Sequence, residues 1–375
     1  MVGMSACVPF LPLYIRDLGV ADPQAQKLWS GLIFAGPFTL SIIVTPFWGM
    51  IGDKYGRKPM LIRAIFGLAI AMLLMGFART VEQLLFFRIL QGVLSGFMAA
   101  VLGFIVANTP SEKSGYAIGL FQSSVAAGNI IGPLIGGVIS DFSGIRSVFY
   151  LVAILCAISG FLVMILVVEK NKGSLQEKKH TLKSNLKFII KSKYLSSLIG
   201  ILMIVQIGFY ITNPVFAYFI EHLHAPAKYL STITGTMVGI VGVFYVIFSP
   251  RWGKANDKAD FRKILFYAIL ISGILQLLHS IMPEYYYIYP LRVGLGIISS
   301  AVIPTLYSSL NKQIPEENKG GIMGFASSAN IFGTLIGYLM SSAIAPFVEI
   351  NLIFVISGVI LVFSAILVKI LFGSK

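Results

Sequence analysis

Charged residues are scarce in this chain of 375 residues. Asp, Glu, Lys and Arg account for 12% of it, against about 25% in an ordinary soluble domain. Hydrophobic residues make up 57%, and the mean hydropathy is +0.86. This composition excludes a soluble globular protein and indicates a protein of the lipid bilayer.

Cysteine is also scarce, and the few histidines do not show the spacing of a metal site. The two cysteines, Cys7 and Cys156, fall in apolar segments, which excludes a disulfide framework. His222 and His224 are neighbours without a third ligand nearby, which argues against a metal site. The sequence shows no phosphate-binding loop, zinc pattern or nucleophile–base arrangement, so we expect neither an enzyme nor a cofactor.

Long apolar segments dominate the chain instead. A helix needs about 20 residues to cross roughly 30 Å of hydrocarbon. Eleven segments reach that length, near residues 28–52, 60–79, 82–108, 114–140, 145–168, 195–220, 229–252, 262–282, 285–310, 320–346 and 349–372. Residues 1–15 are too short to span and carry no signal-peptide pattern, so we interpret them as the second half of a first helix truncated at Met1. The sequence predicts an all-α integral membrane protein with twelve transmembrane helices.

The net charge of +14 is explained by topology. Lysine and arginine are retained on the cytoplasmic side of a membrane. If the first helix runs outward, most of the 29 Lys and Arg residues fall in cytoplasmic connections. We therefore predict a multi-pass protein of the cell membrane with both termini in the cytoplasm, and we expect no nucleic-acid partner.

The two halves of the sequence repeat each other. Four residues recur 204 positions later, and six recur 205 positions later. Gly49, Asp53, Arg88 and Gly92 match Gly253, Asp257, Arg292 and Gly296, whereas Pro9, Pro110, Glu112, Gly119, Gly128 and Gly132 match Pro214, Pro315, Glu317, Gly324, Gly333 and Gly337. The repeat predicts six-helix bundles over residues 1–168 and 194–375, joined by a cytoplasmic linker over residues 169–193. Parallel halves of this kind form one large transporter group.

Three motifs in order resemble the major facilitator superfamily. Residues 49–61, GMIGDKYGRKPML, resemble its loop signature, with Ile51 and Gly52 as departures. Residues 84–92, LLFFRILQG, are similar to its fourth-helix pattern, and residues 128–137, GNIIGPLIGG, match the fifth-helix pattern of its drug:proton antiporters. Residues 8–20, VPFLPLYIRDLGV, resemble the first-helix exit of MdtG-like bacterial multidrug exporters.

The resemblance implies both a fold and a function. The fold is two pseudo-symmetric six-helix bundles. The function is secondary active export of drug-like or amphipathic small molecules, by rocker-switch alternating access and in exchange for protons. Because no nucleotide-binding signature is present, we expect an ion gradient to supply the energy.

The loop motif contains a predicted cytoplasmic latch, which consists of Gly49, Asp53, Gly56, Arg57 and Lys58. Its glycines allow a tight turn between the second and third helices. The resemblance implies that Asp53 lies at the positive N-terminal end of the eleventh helix, near residues 319–320, and that the basic pair contacts the other half. A solvated cytoplasmic loop is the alternative, but it does not account for the aspartate or the glycine spacing.

Arg88 and Arg292, together with Gln91, are the predicted proton-coupling residues. An arginine inside a span costs about 2.5–3.5 kcal/mol or more unless it faces a cavity or a partner. Gln91, Gly92 and Ser95 follow Arg88 at i+3, i+4 and i+7, so the four form one polar stripe. The stripe favours a cavity-facing position, and snorkelling to the outer surface is the alternative. Coupling to protons is the role that the resemblance implies.

The fifth-helix motif predicts a close helix seam formed by Gly128, Gly132, Pro133, Gly136 and Gly137. Glycines four residues apart share one face and let a second helix approach closely, and Pro133 removes a backbone hydrogen bond. Ordinary tight packing is one interpretation. The resemblance adds that the seam blocks proton leak while the halves move.

Four residues of the seventh span are predicted to line the substrate cavity: Gln206, Tyr210, Asn213 and Phe216. The first three fall at i, i+4 and i+7, which places them on one helix face. Mixed polar and aromatic side chains suit amphipathic or aromatic cargo. Packing between helices is the alternative.

Acidic residues deep inside the spans are missing. The acidic residues found in or beside the spans lie near the outer ends of those spans: Glu82, Asp141, Glu221, Glu284 and Glu349. A proton antiporter ordinarily uses a buried carboxylate, so the residues do not identify the proton carrier. A major facilitator carrier for a lipid, a sugar or a metabolite is the alternative function, since fold does not determine cargo. The expected partners are a small-molecule cargo, protons and bilayer lipid, with the protein as a monomer.

Overall fold

All regular secondary structure that the computed structural model describes is helical. The described residues are 2–94, 101, 104–105, 108–109, 111–169, 182–258, 260–315 and 319–373. The helices with defined bounds are α1 (Val2–Cys7), α2 (Leu11–Asp17), α3 (Pro23–Tyr55), α4 (Arg57–Gly76), α5 (Val81–Leu94), α6 (Ser111–Ser143), α7 (Ile145–Leu166), α8 (Leu182–Lys191), α9 (Lys193–Tyr210), α10 (Phe216–His222), α11 (Leu230–Lys258), α12 (Phe261–His279), α13 (Ile288–Ser299), α14 (Val302–Gln313), α15 (Lys319–Ile344) and α16 (Ile350–Phe372).

Ten segments of the described chain are long and apolar enough to cross a membrane. Each corresponds to a predicted span, so the prediction of an all-α integral membrane protein is confirmed. The other two predicted spans are residues 1–15, which form the short helices α1 and α2, and residues 82–108. In the second of these, α5 is described as far as Leu94, and residues 95–100 lie outside the described part of the chain.

Local side chains explain where α3 begins. The span was predicted from residue 28, but α3 begins at Pro23. The Asp22 carboxylate accepts hydrogen bonds from the backbone N–H groups of Gln24 at 3.2 Å and Ala25 at 3.0 Å. Such a cap satisfies donors that the first helical turn leaves free, and proline is favoured at the first helical position because its missing N–H is not needed there.

Helix contacts divide the chain into two compact units. The first contains Met1–Glu177 and Lys228–Gly239, and the second contains Lys178–Ala227 and Ile240–Lys375. The first ten residues of α11 therefore pack in the first unit, although the repeat assigns α11 to the second half of the chain. Helix α8 belongs to the second unit, where Ile189 joins the apolar core.

The sequence repeat is visible inside each unit. Seven of the ten buried positions of α4 are also buried 204 residues later in α12: Leu61, Ala64, Ile65, Leu68, Ala69, Met72 and Met75 correspond to Leu265, Ala268, Ile269, Ser272, Gly273, Gln276 and His279. Trp48 Nε1 donates to the Val93 carbonyl at 2.9 Å, and Trp252 Nε1 donates to the Ile297 carbonyl at 2.9 Å. The same backbone fold is thus built twice from related residues.

Candidate functional site

The turn between α3 and α4 is tight and holds a carboxylate. Gly56 has φ +99°, a left-handed conformation that favours glycine. The backbone N–H groups of Arg57 and Lys58 donate to Glu169 Oε1 at 2.8 Å and Oε2 at 3.2 Å. Lys58 Nζ also donates to the Met164 carbonyl at 2.9 Å. The predicted latch motif therefore binds an anion that follows α7, a partner the sequence analysis did not identify.

The remaining latch residues are described only in part. Gly49 and Asp53 lie within α3, but the side chain of Asp53 is outside the described part of the structure. So are residues 316–318 and the side chains of residues 319–320, where its partner helix was predicted to begin. The contact of Asp53 with the eleventh helix stays a prediction.

Arg88 is buried in α5, where it donates hydrogen bonds to a backbone carbonyl and a side-chain amide. Its Nε donates to the Ile33 carbonyl at 3.0 Å, and its Nη1 donates to Gln91 Oε1 at 2.7 Å. Both side chains are at most 5% exposed. The predicted i, i+3 pair is thus in contact, which places a positive charge inside the first unit. Ser95 lies outside the described residues.

Arg292 is the equivalent residue of α13 in the second unit, and it is also buried. Its guanidinium carbon lies 3.7 Å from the centroid of the Phe216 ring. A cation over an aromatic face is attracted by the ring, with an energy that can reach about 2 kcal/mol when both groups are desolvated. Phe216, predicted as a cavity residue, therefore stabilises a buried arginine here.

The predicted cavity stripe is interrupted. Gln206 and Tyr210 lie on α9, which ends at Tyr210, whereas Asn213 begins a 3-10 turn and Phe216 begins α10. Pro214 has no backbone N–H to continue a regular helix. Gln206 is buried, and the Tyr210 ring packs edge-on against Tyr338 with centroids 5.6 Å apart. The four residues therefore do not share one continuous helix face.

The fifth-helix motif, carried by α6, packs closely against α1. Ser5 Oγ donates to the Gly128 carbonyl at 2.8 Å. A Cβ atom at Gly136 would overlap the carbonyl oxygen of Ala6. Gly132 is buried between these two positions. Only a residue without a side chain permits this approach of two backbones.

The opposite side of the motif packs against the beginning of α11, still within the first unit. A Cβ atom at Gly137 would lie 2.6 Å from the carbonyl oxygen of Ser231. A Cβ atom at Gly235 would overlap the carbonyl oxygen of Pro133. The seam that the glycines predict is therefore a backbone-to-backbone contact with α11 as well as with α1.

Asp141 closes this seam at the last turns of α6. Its Oδ1 accepts from the backbone N–H of Ser231 at 3.0 Å, and its Oδ2 accepts from the N–H of Thr232 at 2.7 Å. Ser140 Oγ and Ser231 Oγ are 3.1 Å apart. A carboxylate at a helix N-terminus is stabilised by the free N–H groups and by the helix dipole. The sequence analysis recorded Asp141 only as an acid near an outer end, since its partners are about ninety residues away.

No group of three His, Cys, Asp or Glu side chains within the described residues could hold a metal ion. The lining of a cavity in the second unit includes Asn256 of α11, Asp260 just before α12, and Thr305 and Lys312 of α14. Asn256 Nδ2 donates to Thr305 Oγ1 at 2.8 Å at its edge. These contacts satisfy a buried amide and do not coincide with any predicted site residue.

Comparison with known proteins was made for the whole chain. The model of the Major Facilitator Superfamily matches residues 1–231 and 198–375. The chain is 32% identical to the multidrug resistance protein MdtG of Proteus mirabilis over 97% of this chain and 90% of that protein. It is 31% identical to the MdtG of Serratia proteamaculans over 96% and 88%.

Solved structures show the same fold at low identity. The nucleoside transporter NupG superposes with a TM-score of 0.79 at 14% identity, covering 99% of this chain and 96% of that one. A bacterial homologue of the human lysosomal transporter Spinster superposes with a TM-score of 0.80 at 14% identity, covering 100% and 94%. The membrane-spanning helices, the repeated bundle and the matches along the whole chain lead to one conclusion: this protein belongs to the Major Facilitator Superfamily of transporters.

Proposed function

We propose that this transporter exports drug-like or amphipathic small molecules in exchange for protons, by rocker-switch alternating access. The observation that carries the proposal is the 32% identity to a multidrug resistance protein along nearly the whole of both chains. In the proposed arrangement the protein acts as a monomer, with both termini in the cytoplasm.

The contact between α6 and α11 supports alternating access. The repeat assigns these helices to different halves of the chain, and the predicted topology places Asp141 and Ser231 at the outer side. Their contact joins the halves where an outward-open state requires them to part. Residues 49–58 are predicted to form the corresponding latch at the cytoplasmic side, so each state would break one contact and keep the other.

Arg88 supports coupling to an ion. Its described hydrogen bonds go to a carbonyl and an amide, neither of which changes charge. A buried cation is sensitive to any charge that moves near it, since electrostatic interactions are strong away from water. The membrane potential alone offers about 2.3 kcal/mol per charge per 100 mV for such movement.

The test is transport by the purified protein in proteoliposomes. Ethidium, a fluorescent amphipathic cation, is followed while a pH gradient is imposed with the acid side equivalent to the cell exterior. We expect accumulation against the ethidium gradient, abolished by an uncoupler and by Arg88→Ala. Arg79→Ala, which removes an exposed arginine just before α5, should leave accumulation intact.

Two outcomes would contradict the proposal. Accumulation that ignores both pH and potential would exclude proton exchange and point to another driving ion. Equilibration of ethidium without accumulation would indicate a facilitator.

A further inference from the structure

Helix α12 buries a polar stripe inside the second unit. Ser272, Gln276 and His279 follow one another at i, i+4 and i+7, so they share one helix face. Their exposed fractions are 0%, 3% and 0%. The helix packs against α13, α14 and α16.

The internal repeat shows that the fold does not need polar residues here. The equivalent positions in the first unit, 204 residues earlier, are Leu68, Met72 and Met75, which are also buried in the same pattern on α4. Burying a polar group without a partner is unfavourable, because the group loses its hydrogen bonds to water. The second half therefore buries three polar side chains at positions where the first half buries apolar ones. Because this burial is unfavourable, it indicates that the polar side chains have a function.

The polar atoms of the stripe are open to a further partner. Ser272 Oγ, Gln276 Oε1 and His279 Nε2 are buried and make no hydrogen bond with any described residue. His279 Nδ1 lies 2.7 Å from the Leu275 carbonyl oxygen. A carbonyl oxygen can only accept, so Nδ1 carries the hydrogen, and a neutral ring then has its lone pair on Nε2. The imidazole is therefore oriented to accept a proton.

One charged group acts on this imidazole. Among the described residues it is Arg292 of α13, whose Nε also lacks a hydrogen-bond partner there. Helix α16 contributes the uncharged ring of Phe354, which is parallel to the imidazole with centroids 5.6 Å apart, and α14 contributes no charged group to it within the described residues. A positive charge on the imidazole is thus opposed by its complete burial and, among the described residues, by this one guanidinium.

We propose that His279 is a proton-binding residue of the transport cycle and that Arg292 controls its occupancy; this rests on the proposed proton exchange. A proton from water adds to the Nε2 lone pair, Nδ1–H keeps its bond to Leu275, and release reverses the step. Burial keeps the ring neutral, and the charge of Arg292 on the adjacent helix α13 adds to this, because two cations repel in a buried environment. Entry of water and movement of the guanidinium during the cycle let the ring take up a proton, as a histidine can within the physiological pH range.

The first test observes the proton directly and needs no cargo. The imidazole nitrogens of the purified full chain are labelled with ¹⁵N. The signal of His279 is identified by its loss in His279→Met, a variant that introduces the residue found at the equivalent position, Met75. We expect the neutral Nδ1–H form in the wild type and a titration at higher pH in Arg292→Gln. An unchanged titration in Arg292→Gln, or a wild-type signal from the Nε2–H form, would overturn the inference.

The second test measures ethidium accumulation driven by a pH gradient. His279→Met should lose the dependence on pH while downhill ethidium movement continues. Gln276→Met introduces the residue found at the equivalent position, Met72, and removes a side chain that does not titrate. This variant should keep the dependence on pH. Retained pH dependence in His279→Met, or an equal loss in Gln276→Met, would refute the role of His279. A wild type that does not respond to pH would instead refute the proposed function, and the ¹⁵N titration would still decide whether His279 binds a proton.

Discussion

Replacing Gly137 with alanine should weaken the contact between α6 and α11. The added Cβ would lie 2.6 Å from the Ser231 carbonyl oxygen and 3.0 Å from Thr232 Cα, both backbone atoms that cannot rotate away. The backbone N–H groups of the same two residues donate to Asp141. Any shift that relieves the overlap therefore also disturbs the carboxylate cap.

The size of the effect follows from the geometry. Carbon β atoms essentially never approach another atom within 3.0 Å, so Ser231 would have to move by at least about 0.4 Å. Overpacking of this kind costs about 1–3 kcal/mol, which corresponds to a 5- to 150-fold change in an equilibrium between two states. Alanine also favours the helix over glycine by roughly 1 kcal/mol, and a control must remove that contribution.

Gly119→Ala is the matched control, because Gly119 is also in α6 and a Cβ atom there would meet no atom of the described residues within 4 Å. Spin labels at Ser143 and Tyr229, both exposed, report the separation of the two helices in a variant without the native cysteines. We expect Gly137→Ala to shift the distance distribution from the close pair towards separated helices, and Gly119→Ala to leave it unchanged. If both variants gave the wild-type distribution, the seam would not control this contact.

Three further predictions follow. Glu169→Gln should lower the stability of the first unit by about 0.5–2 kcal/mol in thermal unfolding, because it weakens the cap of α4; Glu349→Gln, whose side chain makes no cap bond, is the control. Asp141→Ala should increase alkylation of a cysteine placed at Thr232, since two backbone donors lose their acceptor, and an unchanged rate would show that the cap does not close the seam. Asp53→Asn should abolish ethidium efflux from cells while membrane expression persists, and normal efflux would reduce the loop motif to a positively charged turn.

The sequence predicted the elements whose signals are local. Apolar length located ten spans that the structure contains, and the spacing of Gly128, Gly132 and Gly136 predicted the close packing of α6, because helix periodicity relates neighbours without knowledge of the fold. Side chains that act across the chain were different. Glu169 and Asp141 bind residues about one hundred positions away, and nothing local distinguishes them from solvated acids.

His279 illustrates a signal that was present but needed a comparison. Taken singly it is an uninformative histidine in an apolar helix. At the repeat offset of 204, His279 aligns with Met75 and Gln276 aligns with Met72. The polar stripe is therefore visible as a departure from the repeat. The break of the predicted cavity stripe had a signal as well, since Pro214 stands inside it. Proline can either kink a membrane helix or end it, however, and only the tertiary structure decides.

The Glu169 cap has a consequence for biosynthesis. The α4 amides of Arg57 and Lys58 bind a carboxylate that the ribosome adds 112 and 111 residues later. At about 5–20 residues per second, that interval lasts roughly 5–20 seconds, during which α4 has been synthesised but its N-terminal donors await their acceptor. Every nascent chain therefore passes through an interval in which α4 lacks this cap, and a chain in which Glu169 is replaced would keep α4 without this carboxylate after synthesis is complete.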